Sequence, residues 1–229
     1  MKYLLLFLIG VLGNQTTNAQ IYEVGIFTGG SNLIGDVGAT NYISPNQLAI
    51  GGLVKWNRSP RHSYRLSVTY TKLKADDRKS DDARRLERGF GFQNGLLEIS
   101  AGMEFTFFDF NQHDLSLKGT PYLYTGITVA NHENFFFNSN GRATSENNRS
   151  WAYGIPMALG YKVLISPHLV LGAEIGARYT FSDELDGSVP DSASREQFSF
   201  GNTNSNDWYV FSGFTLTYTF GQKPCYCNF

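Results

Sequence analysis

The stretch DWYVFSGFTLTYTF, residues 207–220, alternates in side-chain character along most of its length. Successive side chains of a β-strand point to opposite faces, so a period of two predicts a strand. One face carries large apolar side chains: Trp208, Val210, Phe214, Leu216, Tyr218 and Phe220. The opposite face begins with Tyr209 and Phe211 and continues with glycine and threonine. One lipid-suited face and one face of small polar residues are typical of the wall of a membrane barrel.

The same alternation recurs along the chain and defines eight segments. They cover about 21–32, 47–57, 62–74, 96–110, 115–131, 151–165, 168–182 and 207–221. Most exceed the ~5–6 residues of strands in soluble sheets and reach the ~9–11 residues of a tilted spanning strand. We therefore predict an all-β fold, an eight-stranded antiparallel transmembrane β-barrel of the outer-membrane type, over residues 20–221. A soluble sandwich would also alternate and is the alternative.

Charged residues on the less apolar faces distinguish these two folds. A sandwich exposes that face to water and would carry many charges, whereas here it is mostly glycine, serine, threonine and alanine. The few charges there are balanced, with four acids and four bases, which suits a narrow barrel interior. We predict a structural charge network inside the barrel formed by Glu23, Lys55, Arg65, Glu98, Glu104, Lys162, Glu174 and Arg178.

Connections between the segments alternate in length. Tight turns are predicted at 57–62, 111–114 and 166–168, and long polar loops at 33–46, 75–95, 132–150 and 183–206. Short periplasmic turns and long outer loops are typical of outer-membrane barrels, and an even strand number places both termini at the turn end. Pro156 falls within a segment and cannot donate to a strand ladder, so a bulge is expected there.

The first nineteen residues differ from the rest. Lys2 is followed by an apolar run, and Thr17 and Ala19 are small residues at the positions of a cleavage site. This order predicts a signal peptide at 1–19, Gln20 as the mature N-terminus and export to the cell outer membrane. A membrane anchor is the alternative, but the run is too short to span a bilayer.

Sequence signs of catalysis, cofactor binding or metal binding are weak, and we predict none of these. The net charge of −1 gives no basic patch for nucleic acid. His62, His113, His132 and His168 fall in or beside predicted turns and loops, where solvated histidines are expected. The run 72–88 carries seven basic and five acidic residues and is interpreted as a solvated loop, or as a surface for lipopolysaccharide phosphates or a protein.

The end of the chain, GQKPCYCNF, contains both cysteines. One residue separates them, so a bridge between them would be strained. The segment 222–229 is predicted to be a periplasmic tail in which Lys223, Pro224, Cys225 and Cys227 are candidate partner contacts. A stub without a partner is the alternative.

Several motifs resemble the PorG-like outer-membrane barrels of the type IX secretion system. They are YEVGIFTGGSNLIGDVG at 22–38, RRLERGFGFQNGLLEISAGMEFTFF at 84–108, TPYLYTGI at 120–127, RYTFSDELDG at 178–187, NDWYVFSGFTLTYTF at 206–220 and KPCYC at 223–227. The resemblance implies a non-enzymatic barrel that anchors or organises a periplasmic ring of PorK-like and PorN-like proteins. An adhesin or other surface-binding barrel, and a lipid-modifying outer-membrane enzyme, are the alternatives.

Overall fold

A computed structural model describes residues 21–111, 119–202 and 205–221. Eight strands occupy these ranges: β1 (Ile21–Ile34), β2 (Gln47–Asn57), β3 (His62–Asp76), β4 (Gly91–Thr106), β5 (Gly119–Phe137), β6 (Ala143–Ser166), β7 (Leu169–Thr180) and β8 (Trp208–Phe220). Each strand pairs antiparallel with the next, and β8 pairs with β1 from Tyr22↔Phe220 to Ile34↔Trp208. The ring is closed, which confirms the predicted eight-stranded barrel.

Short helices lie in two of the connections. A 3₁₀ turn at Asp77–Lys79 and the helix α1 (Ala83–Arg88) join β3 to β4, and a second 3₁₀ segment, Ala193–Phe198, lies between β7 and β8. Asp82 caps α1 by accepting a hydrogen bond from the Arg84 backbone N–H, and Gly89 ends it in the left-handed conformation. Within the described ranges, the helices are too short or too polar to cross a bilayer.

The outer wall of the barrel is apolar. Ile26, Leu66, Ile127, Leu159 and Phe214 are each more than half exposed, although they lie in the middle of long paired strands. The same strands point polar side chains inwards, and β3 shows this as strict alternation of exposed and buried positions. This inside-out distribution is the pattern of a barrel whose outer surface contacts lipid.

Several strand boundaries differ from the sequence prediction. β5 and β6 extend to Phe137 and from Ala143, so most of 132–150 is a paired hairpin and not the predicted loop. Strands that pair outside the bilayer need no apolar face towards lipid. The apolar alternation therefore ends before β5 and β6 end. β4 begins earlier and ends earlier than predicted, at Gly91 and Thr106, so residues 107–110 follow the strand and do not belong to it. Most of the predicted turn at 111–114 lies outside the described residues.

The prediction of a bulge at Pro156 is wrong. Pro156 lies opposite Arg178 in the regular β6–β7 register. Towards β5 the register is the same on both sides of this position, with Thr125 opposite Met157 and Thr128 opposite Gly154. The missing N–H is accommodated in the regular strand, and the register shifts fall at Glu133/Phe135 and at Leu164/Ser166.

Candidate functional site

The interior of the turn-side half is organised around Glu104 on β4. Its Oε2 lies 2.7 Å from Nζ of Lys55 on β2, and its Oε1 lies 2.5 Å from Nζ of Lys162 on β6. Glu23 on β1 accepts hydrogen bonds from Asn57 and Thr217. The carboxylate of Glu104 therefore bridges strands on two sides of the lumen.

A second group lies around Glu174 on β7. Arg65 on β3 donates to both carboxylate oxygens, at 2.6 and 2.9 Å, and the Tyr122 hydroxyl donates to Oε2 at 2.7 Å. The Arg65 guanidinium also lies 4.8 Å from the ring centre of Tyr124. A fork-shaped guanidinium matches a carboxylate with two parallel hydrogen bonds, which makes this the strongest type of side-chain pair.

A third group lies closest to the loop end. Arg178 on β7 donates to Glu98 on β4 at 3.2 and 3.4 Å, and Tyr209 on β8 donates to Glu98 Oε2 at 2.6 Å. The guanidinium of Arg178 lies 4.3 Å from the ring centre of Phe211. Each buried charge in this group has a partner of opposite sign.

The structure places all eight predicted charged residues in the interior, each 4% exposed or less. The sequence interpretation did not identify three tyrosines, Tyr122, Tyr124 and Tyr209, that donate or share hydrogen bonds in the same network. The tyrosines occupy the same strand face as the interior charges, and this position in the sequence could have identified them. Tyrosine in a barrel strand is, however, equally typical of the lipid–water interface. The arrangement braces the barrel because every acid is engaged by neighbours from other strands.

His132 departs from the expectation of a solvated loop histidine. It is an inward residue of β5, 1% exposed, and its Nε2 has no hydrogen-bond partner among the described residues. The correction follows from the extension of β5 beyond the predicted strand end. His62 is exposed as the first residue of β3, beside the β2–β3 turn, where its Nδ1 is 3.1 Å from Ser59 Oγ.

The contact between Ser59 and His62 belongs to the β2–β3 turn. Ser59 Oγ also accepts the backbone N–H groups of Arg61 and His62 there. No group of three or more histidine, cysteine or acidic side chains within the described ranges could hold a metal ion. His113 lies outside the described residues.

The loop end of the lumen is closed by the β7–β8 connection. Leu185, Asp186 and Ser188 of that loop are fully buried. Asp186 Oδ2 accepts the backbone N–H of Asp36 at 2.6 Å, and Asp207 Oδ2 accepts those of Leu185 and Asp186 at 3.0 and 3.3 Å. The Asp186 bond attaches the β7–β8 loop to the β1–β2 loop, and the Asp207 bonds hold the β7–β8 loop together.

The carboxylates of this closure have raised pKa values. Burial, and then the charges of Asp186 and Asp183, raise the pKa of Asp207 well above its usual value. Burial, with the charges of Asp186, Asp36 and Glu184, raises the pKa of Asp183 to about 7. Asp207 Oδ1 is buried and has no hydrogen-bond partner in the part of the chain that the structure describes. The closure therefore favours protonated carboxyl groups.

The charged run 72–88 is only partly the solvated loop that the sequence predicted. Asp77 is fully buried, and it accepts the backbone N–H groups of Gly38 and Phe90 and the Arg88 guanidinium. Arg88 also donates to the Asp36 carbonyl. The run thus joins α1 to the β1–β2 loop, because a buried carboxylate needs partners on several sides. Arg84 and Glu87 remain exposed.

The candidate contacts of the tail, Lys223, Pro224, Cys225 and Cys227, lie outside the described residues, as do residues 1–20. The structure describes the strand ends that adjoin these segments, at the start of β1 and the end of β8. The terminal pair Tyr22↔Phe220 of the β1–β8 seam lies at the end of the barrel that carries the short turns.

A family model described as a domain of unknown function, DUF6089, matches residues 2–229 of the chain. The chain belongs to the DUF6089 family. A comparison of this DUF6089 protein with curated proteins finds no match.

Solved structures similar to the DUF6089 chain are bacterial barrels. Ail, the attachment invasion locus protein of Yersinia pestis, is 11% identical with a TM-score of 0.45, over 90% of this chain and 100% of that one. A major outer membrane protein of Thermus thermophilus is 14% identical with a TM-score of 0.46, over 88% and 100%. The N-terminal β-barrel domain of Pseudomonas aeruginosa OprF is 12% identical with a TM-score of 0.43, over 90% and 100%.

Proposed function

We propose that this protein is a non-enzymatic barrel of the outer membrane that serves as a structural component of a protein secretion machine of the type IX kind. The closed ring with an apolar outer wall supports a membrane position, because a closed barrel leaves no backbone edge unpaired in lipid. The signal-peptide pattern at 1–19 supports export. The sequence resemblance to PorG-like barrels supplies the link to secretion.

The observation that carries the structural role is the braced lumen. Arg65 and Glu174 meet across it, and Glu104 is held between Lys55 and Lys162. A polypeptide could pass only if these buried ion pairs were broken. The barrel therefore acts as a rigid anchor for other components and not as their conduit.

The anchoring surface in this proposal is the turn end of the barrel. The chain leaves β8 at Phe220 on that end, beside Tyr22 of β1. With an outer-membrane barrel orientation, this end faces the periplasm. Residues 222–229, with Cys225 and Cys227, would contact a periplasmic ring of PorK-like and PorN-like proteins.

A tail deletion tests this proposal. Cells producing the chain without residues 222–229 should retain a folded barrel in the outer membrane but lose export of the machine's substrates and crosslinks to the ring. Fractionation, and faster gel migration of unheated than boiled protein, verify insertion of the deletion variant. Unchanged export, with freely reactive Cys225 and Cys227 in the full chain, would show that the tail is only a stub. Recovery of the full chain in the soluble periplasm would overturn the membrane position.

A second candidate, a surface-binding barrel, is favoured by one observation. β6 continues past Gly154, its last partner on β7, to Ala143 opposite Phe137, so the exposed residues 147–149 of the β5–β6 hairpin lie at the loop end. A binding role predicts that shortening this hairpin abolishes attachment to a host surface while export is unaffected. If the anchor proposal is correct, the tail deletion should abolish export and leave attachment to a host surface unaffected.

A further inference from the structure

A segment of the β1–β2 loop folds back against the outside of the barrel. Asn32 points outwards from β1 yet is only 2% exposed. Its amide donates to the carbonyls of Asn41 and Tyr42, and its Oδ1 accepts the Ser44 N–H. We call residues 39–46 the strap. The strap explains how an asparagine is tolerated on an otherwise apolar wall, since all its polar atoms have partners.

The strap and the wall enclose a groove of about 610 Å³ at the loop end. Its floor is formed by Met157, Ala177 and Val210 on three neighbouring strands, and Tyr42 and Ile43 of the strap border it. Both strap side chains are well exposed, at 76% and 57%. Exposed apolar residues beside an apolar groove indicate that the groove takes an apolar ligand.

A second groove of about 610 Å³ continues the first along the wall towards the turn end. The two share Leu159 and Ile175, and the second is lined further down by Ala173, Gly213 and Phe214. From the level of Trp208 to that of Phe214, the path runs six residues along β8, roughly 20 Å at ~3.4 Å per residue. This is longer than one leaflet of a ~30 Å hydrocarbon core, so an extended acyl chain fits along it.

Polar groups lie where the path meets the loops. Arg85 lines the upper groove together with Asn202 and Asn206. It also lines an adjoining cavity of about 460 Å³ with Arg84, Arg88, Asp36 and Asp82, three cations against two anions. The upper groove thus opens into a polar cavity with a net positive lining.

The arginines of that cavity are not equivalent. Arg88 is bonded to Asp77 at 2.8 Å and Arg84 lies 3.5 Å from Asp82. Arg85 donates to the Gly38 carbonyl at 2.9 Å but forms no ion pair within the described part of the chain. Asp36 accepts the Asn202 N–H. Arg85 is therefore the arginine that borders the upper groove and has no acidic partner among the described residues. Guanidinium groups bind phosphate through two hydrogen bonds.

We propose that this groove binds one acyl chain of a phosphorylated glycolipid of the lipid A type, with Arg85 at its phosphate and the amides of Asn202 and Asn206 beside its sugar. The loop end faces the outer leaflet, which in an outer membrane is made of such glycolipid. The inference rests on the outer-membrane position in the proposed function, and it is independent of any role in secretion.

Lipid retention by the purified full-length protein tests the site. Native mass spectrometry in non-ionic detergent should show one bis-phosphorylated lipid A per protein. Ala177→Trp fills the upper groove and should weaken retention about tenfold or more, since an overpacked groove excludes the chain. The matched control is Ala101→Trp, an exposed alanine on β4 that lines neither groove. Ala173→Trp fills the lower groove and provides a second blocking variant.

The head group is tested separately. Arg85→Gln should weaken lipid A binding about tenfold, the effect of a lost hydrogen bond to a charged group, whereas the exposed Arg142→Gln should not change it. Dephosphorylated lipid A should bind the wild type as weakly as lipid A binds Arg85→Gln.

Three outcomes would overturn the proposal. They are the absence of retained lipid A, an equal loss of lipid A retention in Ala177→Trp and Ala101→Trp, and retention of phosphatidylglycerol as tight as that of lipid A. Folding of each variant is checked by heat-dependent gel migration. Cell fractionation measures the membrane position independently, so a failure of the lipid site and a failure of the proposed function are distinguishable.

Discussion

Arg65 and Glu174 join opposite walls of the barrel. Arg65 is on β3 and Glu174 is on β7, four strands apart in a ring of eight, and their side chains form two hydrogen bonds of 2.6 and 2.9 Å. Both side chains are 3% exposed or less. A contact between directly opposite strands crosses the full width of the lumen. The barrel is therefore held together by side chains through its centre as well as by backbone pairing around its wall.

Removal of the Arg65 guanidinium should lower the free energy of unfolding of the barrel. Arg65→Leu leaves the Glu174 carboxylate with the Tyr122 hydroxyl but without its cation, and an unpaired buried charge costs ~3–5 kcal/mol. Arg178→Leu should have a similar effect through Glu98. Unfolding by urea in lipid vesicles, followed by tryptophan fluorescence, measures the free energy.

The control for these variants is a volume-conserving change on the lipid face. Leu171→Ile should cost less than about 1.5 kcal/mol, because the residue is exposed and keeps its size. A larger effect for Leu171→Ile than for Arg65→Leu would reverse the assignment of the two faces.

The hydroxyl of Tyr209 should contribute more to the stability of the barrel than the hydroxyl of Tyr124. Tyr209 donates to the Glu98 carboxylate, whereas Tyr124 shares a hydrogen bond with the neutral Ser100 hydroxyl. Tyr209→Phe should cost ~1.5–3 kcal/mol and Tyr124→Phe about 1 kcal/mol, since bonds to charged groups are stronger. The same unfolding assay compares them, and equal losses would mean that the charge of Glu98 is fully satisfied by Arg178.

The wall of the barrel was predictable from the sequence because a strict physical alternation determines it. Each strand must present lipid-compatible residues outwards, and this alone orients Glu98, Glu104, Glu174 and Arg178 inwards. Which acid meets which base was not predictable. The Arg65–Glu174 pair depends on the stagger of β3 against β7, which is set by barrel closure and leaves no trace in either segment.

The loop end was predicted less well, and His132 shows why. Beyond the bilayer the chain pairs without lipid alternation, so the pattern in 132–150 resembles a polar loop although β5 and β6 continue through it. The fold of the β7–β8 loop into the lumen depends on bonds such as Asp186 to the Asp36 N–H, 150 positions away in sequence. No local motif encodes a contact at that separation.

Gly102 is a position where the strand pair allows no side chain. It lies opposite Gly126 in the β4–β5 register, and a Cβ atom at Gly102 would overlap the Thr125 carbonyl. Gly102→Ala should therefore destabilise the barrel by ~1–3 kcal/mol through overpacking of backbone. Gly52→Ala is the matched control, because the nearest atom to its added Cβ would be the Gly25 carbonyl oxygen at 3.9 Å. Equal stability of the two variants would show that β4 and β5 can separate freely at this point.

Finally, the loop closure should weaken as the pH rises. The pKa of Asp183 is raised to about 7, and the pKa values of Asp186 and Asp207 are also raised, with burial as the first cause in each case. In the unfolded chain an aspartate ionises near ~3.9. A carboxyl group whose pKa is higher in the folded state contributes stability that is complete below the unfolded pKa. That stability is lost as the pH rises towards and through the folded pKa. For Asp183 this window runs from about pH 4 to about pH 7.

Asp207→Asn tests this dependence. Its amide oxygen can still accept the Leu185 and Asp186 N–H groups, and its amide N–H₂ replaces the buried oxygen that has no hydrogen-bond partner among the described residues. Hydrogen exchange of the backbone amides of 185–188 should speed up between about pH 4 and pH 7 in the wild type beyond the intrinsic pH effect, and less so in the variant. Asp109→Asn, which alters an exposed pair with Arg61 at the turn end, serves as the control and should behave as the wild type. The same excess in Asp207→Asn as in the wild type would show that the closure does not depend on protonation of Asp207.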